Sequence, residues 1–127
     1  MKYFVCIIWL AVAGAFVGSA SLAHADGDAA RGEKKFADCA ACHSLQEGVN
    51  DVGPSLHSLF NRKAGSIATF RYSPAMKRSG IVWTAQTLDE FIADPQKMVP
   101  GNRMPYGGII DAADRTDLIV YLMKASN

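Results

Sequence analysis

The chain opens on a nearly unbroken apolar run, Tyr3 to Val17 (YFVCIIWLAVAGAFV), and then changes character. From Asp28 onward, apolar residues recur at helical spacing in separated stretches. The pattern predicts a first helix over about 28–37, with Asp28 as its N-cap. Gly32 lies inside it at a cost to helix stability, which points to close contact with another helix. Residues 44–72 are rich in Gly, Asn, Ser and Pro and read as loop. Ser73-Pro74 starts a short helix ending near Gly80. Thr84 caps a further helix carrying Leu88, Phe91 and Ile92 on one face, which stops at Pro95. Asp111 caps the last helix, where Leu118, Ile119, Leu122 and Met123 are the expected buried stripe. Asp111, Asp114 and Asp117 crowd its first turns, in keeping with the helix dipole. The first and last helices are expected to cross, with Gly32 and Phe36 meeting Leu118 and Tyr121. No repeat or linker interrupts this pattern, so the expectation is one all-α domain.

The apolar start changes the domain boundary. Lys2, the apolar run and Ala23-His24-Ala25 have the order of a secretory signal peptide cleaved after Ala25. The other reading is a retained membrane anchor, for which the run is short against a span of about 20 residues. The expected division is therefore a cleavable segment 1–25 and a domain 26–127. Lys2 is the one Lys or Arg in the first segment, so the domain carries 12 cationic against 12 acidic side chains. That balance gives no basic surface for nucleic acid. Export implies a periplasmic protein that is not inserted in the membrane once the signal is removed.

Of three cysteines, Cys6 lies in the apolar run and leaves with it. The others form Cys39-Ala40-Ala41-Cys42-His43. C-x-x-C-H is the attachment signature of c-type haem. Two thiols three positions apart project from one turn and can each form a thioether to a porphyrin vinyl group. The next residue, His43, then falls beneath the iron as an axial imidazole. Export would permit a disulfide, while a thioredoxin-like pair would want a βαβ setting, which the pattern lacks. A zinc site would want four ligands, and the domain offers only His57 beyond the motif.

The second axial position is open on chemistry alone. Met76, Met98, Met104, Met123 and His57 are the candidates. Met123 reads as core filling. Met104 stands in a stretch stiffened by Pro100 and Pro105 and rich in glycine, which can hold a thioether at a fixed place.

Residues 27–127 resemble class I cytochrome c, the family of mitochondrial cytochrome c and its short bacterial relatives. The resemblance runs in order through Gly27-Asp28, Gly32, Phe36, the 39–43 motif and Gly53-Pro54-Ser55-Leu56-His57. It continues through Arg62-Lys63-Ala64-Gly65, Phe70-Arg71-Tyr72, Trp83, Pro100-Gly101-Asn102-Arg103-Met104 and Asp117-Leu118-Ile119-Val120-Tyr121-Leu122. It implies a single-domain class I cytochrome c fold, helices and loops wrapped around one covalent haem c. It implies that Met104 is the second iron ligand opposite His43. It places the Pro54 carbonyl on His43 Nδ1, Tyr72 and Trp83 on a buried propionate, and Arg62 near the same propionate. Asn102 stands where a threonine often bonds the other propionate. Phe91 stands where many members have a tyrosine touching the methionine sulfur, and Tyr106 where mitochondrial members have phenylalanine.

The implied function is one-electron transfer, with no enzymatic step at an iron closed on both faces. Electrons would cross an exposed haem edge near Ala40, Ala41, Met104, Pro105 and Tyr106. The partners would be transient redox proteins, linking a quinol-oxidising complex to an oxidase, a photosynthetic reaction centre or a reductase. Lys35, Lys77, Lys97 and Arg103 would form a positive rim around a monomer's docking face. The rival reading is a haem enzyme or gas-binding protein with an open iron.

Overall fold

The computed structural model describes residues 26–127; the expected signal peptide, 1–25, lies outside the described residues. Among the described residues five helices are joined by loops: α1 (Ala29–Ala40), α2 (Pro74–Arg78), α3 (Ala85–Ala93), α4 (Pro95–Met98) and α5 (Ala112–Ala125). Among the described residues no helix is long and apolar enough to cross a membrane.

The capping residues expected from sequence start three of the helices. Asp28 accepts from Arg31 N at 2.9 Å, and Asp111 accepts from Asp114 N at 2.9 Å. Thr84 and Thr87 form a reciprocal box, with bonds of 3.1 and 2.8 Å. Two boundaries differ from expectation. The α1 helix runs on to Ala40, so Cys39 rides on its last turn. At Pro95 the chain does not leave helix for good: Asp94 caps a new turn, α4, in which Pro95 occupies the first position.

The tertiary frame is α1 crossed on α5, with α3 beside α5. Gly32 lets the two backbones meet, since a Cβ there would fall inside the Asp117 carbonyl and 2.7 Å from Tyr121 Cβ. The Phe36 and Tyr121 rings pack at 5.4 Å beside this crossing. Leu118, Ile119 and Leu122 are buried as expected, but Met123 is turned outward and 44 % exposed. Met123 is one step round the helix from the face that α1 and α3 cover, so it is not core filling.

The loop between α1 and α2 is tied to the segment between α2 and α3 by a short antiparallel pairing of Lys63 with Val82. Trp83 N donates to Arg62 O at 3.0 Å, and Asn61 N donates to Trp83 O at 2.8 Å. This pairing sets Arg62 and Trp83 side by side although they are distant in sequence.

Candidate functional site: an apolar cavity with two thiols and an imidazole in its wall

A cavity of about 340 Å³ opens between the helices and the 44–72 loops. All nine residues expected to contact a cofactor line it: Cys39, Cys42, His43, Pro54, Arg62, Tyr72, Trp83, Asn102 and Met104. Leu59, Leu88, Phe91, Ile92, Leu118 and Leu122 are buried and form part of the apolar wall. Of the five candidates for a second axial ligand, only Met76 and Met104 reach this cavity. Met123 is on the surface, and His57 borders a separate recess with Glu47 and Asn50.

The thiols sit where α1 ends. Ala41 caps the helix, and both Cys42 N and His43 N donate back to Cys39 O, at 3.0 and 2.9 Å. This tight turn puts both sulfurs and the imidazole on one wall. Cys39 and Cys42 are not bonded to each other. Burial, aided by Asp38 and Cys42, pushes the Cys39 thiol up to about 11. Among the described residues no group of three His, Cys, Asp or Glu side chains converges as a metal site, which leaves the zinc reading without support.

His43 is held from behind. Its Nδ1 lies 2.8 Å from Pro54 O, so the ring carries its proton there and presents the Nε2 lone pair. Burial lowers the His43 pKa, partly opposed by the Pro54 bond, so the ring is neutral and able to ligate near pH 7. Gly53 forms a cradle for the ring: a Cβ there would stand 2.6 Å from Nδ1.

The polar end of the cavity is built on Arg62. Its guanidinium donates to His57 O at 2.6 Å and to Ser55 O at 2.9 Å. Burial lowers its pKa, and the neighbouring Tyr72 opposes that. A partly buried cation beside a phenol and an indole suits a carboxylate-bearing group. Trp83 packs edge-on to Phe91 at 5.1 Å.

Asn102, which the resemblance places near the other propionate, lines the cavity and is also bonded within its own loop. Its Nδ2 donates to Pro95 O (2.7 Å) and Val99 O (3.0 Å), and its Oδ1 accepts from Met104 N at 2.8 Å. The side chain thereby shapes the turn that carries Met104. Sequence reasoning also passed over Asn50, which bridges two loops by accepting from Ser55 N and donating to Thr69 Oγ1, each at 3.0 Å. No local pattern marks a bridge between loops, so nothing along the chain would have found it.

Of the cations expected to form a positive rim, Arg103 lines the cavity and Lys35 does not. Lys35 is held by Asp114 at 2.5 Å. Asp38, Arg71 and Arg103 all line the cavity.

Two attachment thiols, an oriented imidazole and an apolar slot with a cation in its lining together fit a covalently bound haem, and define a small helical haem protein. The comparisons agree. The family description "Cytochrome c" matches residues 29–126. Cytochrome c2 of Blastochloris viridis is 46% identical over 115 residues, covering 89% of this chain and 91% of that protein. Cytochrome c2 of Rhodoblastus acidophilus is 47% identical over 99 residues, covering 77% and 92%. The structure of cytochrome cH from Methylobacterium extorquens superposes with a TM-score of 0.73 at 43% identity, covering 77% of this chain and 99% of that one. The chain belongs to the cytochrome c family. It carries haem c on Cys39 and Cys42 and functions in electron transfer.

Proposed function

We propose that this chain is a periplasmic one-electron carrier whose haem iron is held between His43 and Met104. The observation that carries this reading is the His43 imidazole, fixed by Pro54 at 2.8 Å in a cavity that Met104 also lines. When bound, the haem supplies reversible Fe(III)/Fe(II) exchange, and His/Met ligation favours a high potential. The protein's residues keep that exchange simple. Pro54 holds the imidazole in one tautomer, Asn102 holds the backbone of Met104, and the apolar wall excludes water. Arg62, with Tyr72 and Trp83, neutralises and anchors the carboxylate end. Partners dock briefly at the mouth near Met104, Pro105 and Tyr106, where the electron crosses. A periplasmic site of action is supported by the export signal read in residues 1–25.

The test is the visible spectrum of the purified holoprotein. A weak near-red band in the oxidised form, lost on reduction and lost in Met104→Ala, is the expected result. A band unchanged in Met104→Ala would assign the ligand elsewhere. Ready binding of carbon monoxide by the unaltered protein would favour the open-iron reading.

A further inference from the structure

Met76 is the second thioether in the cavity wall, and the reading above gives it no role. It is carried by α2, a helix of five residues that packs on no other helix. The α2 helix rests on loops instead. The Lys77 backbone lies beside Gly65, where a Cβ would come 2.9 Å from Lys77 Cα. Ala75 lies beside Gly101, where a Cβ would come 3.7 Å from Ala75 Cβ, in the loop that leads to Met104. Ser73 Oγ accepts from Met76 N at 3.1 Å and fixes where the side chain leaves the helix. Met76 and Ala75 are the α2 residues that pack on the core cluster, and of these only Met76 enters the cavity.

The apolar part of the cavity wall offers water nothing to bond. Leu88, Phe91 and Ile92, which line the same cavity as Met76, are buried and apolar, whereas Tyr72 and Ser73 supply polar atoms to it. Both amide hydrogens of Asn102 and one acceptor site on its oxygen are already used within the loop. A buried water needs two to four polar partners. We propose that Met76 is a positioning residue: an apolar plug that pins α2 over the cavity and keeps water and foreign ligands from displacing Met104. The protein would thereby be held to electron transfer, because an exogenous ligand must first open this wall. This rests on the reading of Met104 as iron ligand.

The experiment uses the ferric holoprotein and imidazole as the probe, with binding followed by absorbance. Met76→Gln keeps the length of the side chain but adds a group that can hold water. It is expected to bind imidazole about tenfold faster than the unaltered protein, the scale of one hydrogen bond gained or lost. Met76→Leu, apolar and of similar volume, is expected to stay within about twofold. Loosened packing alone would accelerate both variants alike, and that result would overturn the proposal. So would a Gln variant no faster than the unaltered protein. Should Met76→Gln fail to fold, Met76→Thr is read in the same way. The near-red band separates the two levels. Its absence from the unaltered protein would remove the ligation reading and this proposal with it. Its presence, with imidazole binding indifferent to residue 76, would remove the plug alone.

Discussion

His43 shows how a single side chain is made ready before any metal arrives. Three constraints act on it: the α1 end turn, the Pro54 carbonyl and the Gly53 cradle. The ring therefore reaches the iron site with little orientational freedom left to lose. Gly53→Ala is expected to force the ring off its place and cost about 1–3 kcal/mol, as overpacking of a tight site does. Denaturant unfolding of the holoprotein, with haem content per chain, measures this, and wild-type values for both would show that the ring has room to spare. Much of the site was legible at this scale because C-x-x-C-H places its groups by chain connectivity alone. Asn102 was not. Its bonds to Pro95 O, Val99 O and Met104 N depend on how the 95–104 loop closes.

At the scale of helices, the crossing of α1 on α5 is fastened by one carboxylate. Asp117 accepts from Asp28 N and Arg31 Nε, each at 2.6 Å, and from Arg31 Nη2 at 3.0 Å. It therefore satisfies a free N–H at the start of α1 while sitting on α5. The bond from Arg31, then that from Asp28 N, hold its pKa below the usual carboxylate value. A carboxyl with a depressed folded pKa contributes stability that is complete above its unfolded value of about 3.9 and is lost as pH falls through the folded one. Asp117→Asn is expected to lower stability at pH 7 and to flatten its fall below about pH 4. Denaturant midpoints from pH 7 to 2 check this; parallel curves for the two proteins would contradict it. The glycine at position 32 announced a close helix contact, and Asp117 looked like a dipole partner of its own helix. Its bond to another helix was hidden because the two residues are 89 positions apart. The same limit explains Met123, which fits the apolar spacing of α5 yet faces solvent.

For the molecule as a whole, the cavity replaces the centre of an ordinary core. A domain of this size has little apolar surface to spare, and here large apolar side chains from α3, α5 and the loops face a slot of about 340 Å³. The Cys39→Ser/Cys42→Ser protein, unable to bond the haem, is expected to lose most of its helical far-ultraviolet dichroism and its cooperative melting. Retention of both would mean that the helices support one another unaided. The sequence by itself determined the attachment chemistry, the helix starts and the all-α class, because motif spacing, capping and apolar period are local properties of a chain. The tertiary structure alone decided which sulfurs reach the cavity, that Lys35 is tied to Asp114, and that α2 stands over the slot without a helix to lean on. Those outcomes depend on which surfaces meet after folding, and packing between distant segments leaves no periodic trace along the chain.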